Sequence, residues 1–146
     1  MFGPDAQYLA IQIHLFTTLF MTGVIWYVQV VHYPYLAFTA TSSASEAAEF
    51  HQRRTGYIVM PVMFLELGTG IFLLSSTWMM LFSQVFWLNL FLLLAIWAVT
   101  FLKFMPLHKA LLKSLEPSLI KSLVTVNWIR TALWTIRAIL LVSFLG

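Results

Sequence analysis

Four long apolar segments, separated by short polar stretches, are the feature that most constrains how this chain can fold. Each segment has about the 20 residues that an α-helix needs to cross a hydrocarbon layer about 30 Å thick. The chain has 146 residues, of which 61% are hydrophobic and only 9% are charged, whereas an average soluble domain has about 25% charged residues. We therefore predict an all-α fold, a bundle of four transmembrane helices, and exclude a soluble globular fold.

Prolines mark several of the predicted helix boundaries. A proline disfavours helical geometry in the residue before it, so the first helix should stop before Pro34 and the third before Pro106. Pro61 predicts a kink in the second helix, and Pro117 fits the first turn of the fourth, where its missing N–H costs little. We predict one membrane domain, residues 1–146, with helices over residues 8–32, 45–78, 84–105 and 117–144. The second helix is longer than one span needs, so its start should extend into the cytoplasm.

The basic residues predict the orientation of the bundle. Apart from two arginines in the fourth segment, they all fall at the connections between helices 1 and 2 and between helices 3 and 4: Arg53, Arg54, Lys103, Lys109, Lys113 and Lys121. The positive-inside rule places these connections in the cytoplasm and both termini outside, on the periplasmic side of a bacterial inner membrane. The net charge of +3 is too small to indicate a nucleic-acid partner, and the absence of cysteine excludes thiolate metal sites and cysteine nucleophiles.

Polar side chains inside the apolar segments are the candidates for function, because a charge at the bilayer centre costs at least ~2.5 to 3.5 kcal/mol. They are His14, Glu66, Asn89, Asn127, Arg130 and Arg137. Helical spacing places Asn127, Arg130, Trp134 and Arg137 on one face of the fourth helix, and His14, Thr18, Met21, Ile25 and His32 on one face of the first. We expect these two stripes to face each other in the bundle.

Charge counting inside the membrane suggests a ligand. Counting residues from the predicted helix starts puts Glu66 and Arg130 at a similar depth, so we expect them to pair. Glu66 is the only acidic residue in any apolar span, which leaves Arg137 without a counter-charge. Arg137 then either binds an anionic group of a ligand or extends to the outer headgroups, and the Glu66–Arg130 pair either acts in chemistry or only joins two helices.

The histidines and tryptophans supply further candidate site residues. His32, His51 and His108 lie near the cytoplasmic end and could form a weak metal or haem site, although their spacing favours the simpler interpretation of interfacial histidines that form hydrogen bonds. Trp97 and Trp134 lie deep enough to line a pocket for a flat apolar ligand. We assign candidate catalytic roles to His14, Glu66, Arg130 and Arg137, and substrate-binding roles to Asn89, Asn127, Trp97 and Trp134.

Three short strings carry a family resemblance. They are Trp26-Tyr-Val-Gln-Val-Val-His-Tyr-Pro34, Pro106-Leu-His-Lys109 and Asn127-Trp-Ile-Arg-Thr131. The pattern resembles a group of small, largely uncharacterised four-helix bacterial membrane proteins and, more distantly, the anthrone-oxygenase-like family. In that family a proline-leucine-asparagine sequence ends the third helix, where this chain has His108 in place of the asparagine. The resemblance implies a four-helix fold and oxygenase-like chemistry.

A second resemblance is to the small four-helix haem-associated protoporphyrinogen oxidase of bacteria. That family has a histidine early in the first helix and an arginine at the start of the second, positions that His14 and Arg53 or Arg54 match. Its lysine near the start of the third helix has no equivalent here, and Asn89 is the nearest polar residue. The resemblance makes haem a candidate cofactor.

Three functions follow as hypotheses. The first is a membrane oxidoreductase or oxygenase that acts on a flat, lipid-soluble, weakly anionic substrate in a pocket inside the bundle. The second is a cofactor-binding or accessory subunit of a larger membrane complex, or a homo-oligomer, whose faces contact a pigment or partner helices. The third is a small transporter or lipid-binding module, which four unbroken helices favour less. An enzyme predicts that the two polar stripes converge on one pocket, whereas an accessory subunit predicts a closed polar interior.

Overall fold

The computed structural model describes residues 3–38, 44–74, 79–113 and 116–145, and within them all regular structure is helical. Side chains at 37–38, 44–48, 51 and 79–83 lie outside the description. We number the four long helices α1 to α4. Helix α1 comprises Pro4–Tyr27, Val28–His32 and Tyr33–Phe38; α2 is Ala44–Leu74; α3 comprises Met79–Val99, Thr100–Phe104 and Met105–Leu111; and α4 is Pro117–Leu145.

Two predicted helix ends are wrong, because α1 and α3 both continue past their prolines. In each helix a π-helical turn, Val28–His32 or Thr100–Phe104, comes just before the proline. At the end of these turns the backbone N–H of Tyr33 bonds to Val28 and that of Met105 to Thr100, five residues back instead of four. A proline ring in a regular α-helix clashes with the carbonyl four residues earlier, and the wider turn gives it room.

The other two helices agree with the sequence prediction over the described residues. Helix α4 begins at Pro117 as expected and ends at Leu145, one residue beyond the predicted end. Helix α2 begins at Ala44 and contains Pro61 in its interior. Its predicted last residues, 75–78, lie outside the described part of the chain.

All four helices are long and apolar enough to cross a membrane. The candidate spans are Pro4–Leu36, Gln52–Leu74, Gln84–Leu111 and Pro117–Leu145. The helices pack in sequence order, α1 on α2, α2 on α3 and α3 on α4, and α4 closes the ring against α1. We call the end that carries the α1–α2 and α3–α4 connections the basic end, because the six basic residues predicted there lie on these connections or in the adjoining turns.

Apolar residues face outward and polar residues face inward over much of the bundle. Phe16, Phe91, Leu102 and Ile139 are among many large apolar side chains that are more than half exposed. A continuous exposed apolar surface of this kind is compatible with contact to lipid. The buried polar side chains include threonines, amides, one carboxylate and two guanidinium groups. The interior therefore holds the chemistry, and the inner faces of the helices decide which groups meet.

Candidate functional site

The two polar stripes predicted from helical spacing meet inside the bundle. On α4, Asn127, Arg130, Trp134 and Arg137 are all buried, and on α1, so are His14, Thr18, Met21 and Ile25. His32, the last member predicted for the α1 stripe, is only half-buried. The stripes do not form one site: they form a polar network near mid-bundle and a separate cavity toward the basic end.

The polar network is centred on an ion pair between Glu66 and Arg137. Nη1 of Arg137 lies 2.6 Å from Oε1 of Glu66, and both side chains are 0% exposed. The same carboxylate oxygen accepts a 2.8 Å hydrogen bond from the Thr18 hydroxyl, and Oε2 accepts a longer one, 3.4 Å, from the Trp134 indole N–H. Helices α1 and α4 thus supply three partners to one carboxylate on α2, which compensates the cost of burying its charge.

Asn89 binds the other side of the Arg137 guanidinium. The Asn89 side-chain oxygen accepts hydrogen bonds from Nε and Nη2 of Arg137, at 3.1 and 2.9 Å. The Asn89 amide nitrogen donates to the backbone carbonyl of Arg137 at 3.4 Å, which fixes the orientation of the amide. Arg137 therefore has both a counter-charge and a full set of acceptors, and it leaves no donor directed at a ligand.

His14 completes this network through both of its ring nitrogens. Its Nδ1 lies 3.1 Å from the backbone carbonyl of Glu66 and 3.0 Å from the Thr69 hydroxyl. Because a carbonyl oxygen only accepts, the geometry assigns a ring proton to Nδ1. Nε2 lies 3.3 Å from the Asn89 side-chain oxygen and 3.4 Å from Nη2 of Arg137. Gly70 permits this approach, since a Cβ there would meet Cε1 of His14 at 3.3 Å.

Two predictions about charge pairing are wrong: Glu66 pairs with Arg137 and not with Arg130, and Arg137 has a counter-charge within the protein. Arg130 lines the same cavity as Gly56, which precedes Glu66 by ten residues on α2. At 1.5 Å per residue this is about 15 Å along the helix. The sequence prediction counted depth from assumed membrane edges, and an error of two turns was enough to change the partner.

Arg130 is the buried cation without a counter-charge in the described part of the chain. The residue is 4% exposed, and Nη1 donates to the Asn127 side-chain oxygen at 3.2 Å. The guanidinium carbon lies 4.0 Å from the centre of the Phe104 ring and 5.2 Å from that of Trp134. No hydrogen-bond partner reaches its Nε. Aromatic faces stabilise a cation only in part, so Arg130 retains the capacity to bind an anion.

A cavity of about 190 Å³ lies beside Arg130 between all four helices. Its walls are mainly apolar and rich in methionine, with Met21, Met60, Met63 and Met105 among them. Gly56 also lines it, and a Cβ added there would meet nothing within 4 Å, so the missing side chain contributes to the space. Methionine side chains are flexible and adapt to ligands of different shape.

Both π-helical turns lie against this cavity. Val28 and Tyr33 come from the turn in α1 or the residue after it, and Thr100 and Phe104 come from the turn in α3. Single π-helical turns within α-helices often occur at functional sites. The two deviations from α-helical geometry therefore coincide with the place where a buried cation borders an open space.

The remaining predicted site residues are dispersed. Trp97 does not line the cavity and packs with its ring centre 5.1 Å from that of Phe64 and 5.4 Å from that of Phe101. His108 lines the cavity, and its ring centre is 4.4 Å from that of Phe104. The His51 side chain lies outside the described residues, and within those residues no group of three metal-ligating side chains occurs. The metal site at His32, His51 and His108 stays a prediction.

Sequence reasoning missed three residues of the cavity region. Gln29 is 4% exposed and accepts a 2.7 Å hydrogen bond from the Asn127 amide nitrogen. Tyr33, the residue after the predicted end of the first helix, is 1% exposed and lines the cavity. Gln52 also lines it. The rule that selected Asn89 and Asn127, a polar side chain within an apolar span, applies equally to Gln29 and could have found it.

Comparison with known proteins gives no match: no family model, no curated protein and no solved structure is similar to this chain. The chemistry must therefore be argued from the residues. The Glu66–Arg137 network is closed and fully hydrogen-bonded, which suits a structural role. The cavity is an apolar space beside the buried guanidinium of Arg130, whose Nε has no hydrogen-bond partner. This arrangement suits binding of an apolar molecule with an anionic group.

Proposed function

We propose that the protein binds a small, flat, lipid-soluble and weakly anionic molecule in the cavity inside the bundle, with Arg130 pairing its anionic group. The observation that carries the proposal is the unpartnered Nε of Arg130. Arg130 is 4% exposed and lies beside an apolar cavity. Buried cations in proteins are normally paired, and an anionic ligand supplies what the described chain does not.

The size of the cavity limits the ligand. A cavity of about 150 Å³ lined by apolar side chains can hold benzene, so about 190 Å³ suits a single aromatic ring with one small polar substituent at each end. A haem macrocycle does not fit this space, and the proposal therefore contains no haem. A flat ring would contact the methionine side chains and the Phe104 ring edge or face.

The activity we propose is oxidoreductase-like or oxygenase-like, as the family resemblance suggests, with the substrate held at Arg130. A guanidinium in a dry cavity stabilises negative charge that develops on a bound substrate, because few water dipoles compete with it. The catalytic roles first assigned to His14, Glu66 and Arg137 are not part of this proposal, since none of the three lines the cavity. Their network instead fixes the positions of the helices around it.

Binding is tested with two probes of the same shape, 4-methylbenzoate and the neutral 4-methylbenzamide, titrated into the protein in lipid nanodiscs. We expect the Arg130→Met variant to bind the benzoate at least tenfold more weakly while its affinity for the benzamide changes little. Arg54→Gln is the control, because Arg54 is exposed and its guanidinium carbon lies 5.2 Å from the Phe50 ring centre, away from the cavity. Equal benzoate affinity in the wild type and Arg130→Met would refute the proposal.

A second variant tests the location without changing charge. Gly56→Leu should fill the cavity and abolish binding of both probes, because its side chain would enter open space and not a packed neighbour. Gly68→Leu is the matched control on the same helix: its Cβ also meets nothing within 4 Å, and Gly68 does not line the cavity. Undiminished binding in Gly56→Leu would place the ligand elsewhere.

A cofactor-binding or accessory subunit remains the second candidate function, and the closed Glu66–Arg137 network favours it. A polar network without an open donor is what such a subunit needs, and its exposed apolar faces would contact partner helices or further copies of this chain. Purification from the native membrane in mild detergent tests it. A stoichiometric partner protein or pigment would support the accessory function, and a lone chain that binds the benzoate probe would support the first proposal.

We also propose that the basic end faces the cytoplasm of a bacterial inner membrane, with α2 beginning in the cytoplasm and both termini outside. The distribution of lysine and arginine supports this orientation. The chain has no cysteine, so single substitutions such as Lys113→Cys and Gly3→Cys report accessibility without a background signal. A membrane-impermeant thiol reagent applied to intact cells should label Gly3→Cys alone, and labelling of Lys113→Cys alone would reverse the orientation.

A further inference from the structure

Two residues of the wall of the same cavity each have a buried polar atom without a partner, and the two atoms are of opposite character. One is Nε of Arg130, a hydrogen-bond donor, and the other is Oε1 of Gln52, an acceptor. Among the described residues, only one other buried side-chain nitrogen or oxygen lacks a partner, the indole nitrogen of Trp97, which is not in the cavity wall. Most buried polar atoms are hydrogen-bonded, so two exceptions around one cavity indicate what belongs in it.

Most other polar side chains in the cavity wall are already engaged. The Thr100 hydroxyl donates to the Ile96 carbonyl at 2.7 Å. Thr55 and His108 also take part in interactions of their own. Tyr33 also lines the cavity and is 1% exposed. Among the described residues of the wall, the buried polar atoms without a partner thus belong to Gln52 on α2 and Arg130 on α4.

We propose that the ligand carries a hydroxyl or N–H donor for Gln52 in addition to the anionic group that Arg130 binds. This inference rests on the proposed function and narrows its substrate class to hydroxylated or amino-substituted aromatic anions, such as phenolic acids or ring systems with an enolate and a hydroxyl. An unsubstituted acid or a fatty acid satisfies only Arg130. Gln52 is then a specificity-determining residue, since a buried acceptor discriminates against a ligand that leaves it unpaired.

The test compares ligands that differ only in the donor. Affinities of 3- and 4-hydroxybenzoate are measured against those of 3- and 4-methylbenzoate, because methyl and hydroxyl have nearly the same size. The quantity of interest is the ratio of methyl to hydroxyl Kd, and how this ratio changes in Gln52→Met. Replacing Gln52 removes one hydrogen bond to a buried acceptor. The ratio of methyl to hydroxyl Kd should therefore fall by about threefold to tenfold for one of the two isomers.

A matched control and two contrary outcomes keep the inference separate from the proposed function. Arg53→Met changes the next residue along α2, which is exposed, and should leave the ratio unchanged. If 4-methylbenzoate binding depends on Arg130 but the ratio is the same in the wild type and Gln52→Met, the inference about the donor is overturned and the anion site stands. If no benzoate binds in an Arg130-dependent way, both the inference and the proposed function are overturned.

Discussion

Replacing Glu66 and Arg137 separately and together measures what their ion pair contributes to the bundle. Each single replacement by methionine leaves one charge buried in an apolar interior, at a cost of about 3–5 kcal/mol in the free energy of unfolding. The double replacement leaves no charge. It removes a partner from each of four side chains, Thr18, Trp134, Asn89 and His14, and at about 0.6 kcal/mol for each interhelical hydrogen bond the loss is about 2 kcal/mol.

The double variant should therefore be more stable than either single variant, with a coupling energy of at least about 3 kcal/mol. The assay is reversible unfolding in mixed micelles, in which SDS is titrated against a mild detergent and helicity is followed by circular dichroism. Glu66→Met combined with Gln29→Leu is the control. The Gln29 side chain bonds to Asn127 and shares no hydrogen-bond partner with Glu66 among the described residues, so the two effects should add. Additivity within about 0.5 kcal/mol for Glu66 and Arg137 would refute the reasoning.

Two further predictions concern packing and hydrogen bonding. Gly70→Ala should lower the free energy of unfolding by about 1 kcal/mol. Its Cβ would meet His14 at 3.3 Å, and the His14 ring cannot move without losing hydrogen bonds. Gly68→Ala, whose Cβ meets nothing within 4 Å, should be neutral or slightly stabilising in the same assay. Asn127→Leu should cost about 1–3 kcal/mol in SDS unfolding, because it leaves the Gln29 side chain without its 2.7 Å donor and Nη1 of Arg130 without its acceptor. Gln29→Leu combined with Asn127→Leu should recover the part of that loss that comes from Gln29.

The helical architecture was predictable because it depends on composition and period, which a sequence displays directly. The buried face of α4, with Asn127, Trp134 and Arg137, was confirmed by their burial. The pairing of charges was not predictable in the same way. It depends on how far each helix is shifted along its axis relative to its neighbours, and one helical turn of error replaces Arg137 with a residue of the next turn.

The cavity could not be predicted from the sequence either, for a different physical reason. A cavity is unfilled volume, and it arises where small or flexible residues on several helices meet. Gly56 on α2 and Met21 on α1 have no local pattern that relates them. A buried arginine is visible in a sequence, but whether it meets a carboxylate or an empty space is decided only when the helices pack.

The two π-helical turns change which residues of the chain lie on the same face of a helix. A π-helical turn adds one residue to a helix, so every later residue is rotated by about 100° from where a 3.6-residue repeat would put it. Counting on from His14 through Ile25 selects His32, but the fully buried residue is Tyr33. Deleting Val30, which is exposed within the turn, would restore the uninterrupted repeat and leave Tyr33 facing the cavity, because the deletion removes the one residue that the turn adds. Tyr33 thus reaches the cavity because the turn accommodates one extra residue, and a regular α-helix of the same sequence would present His32 there.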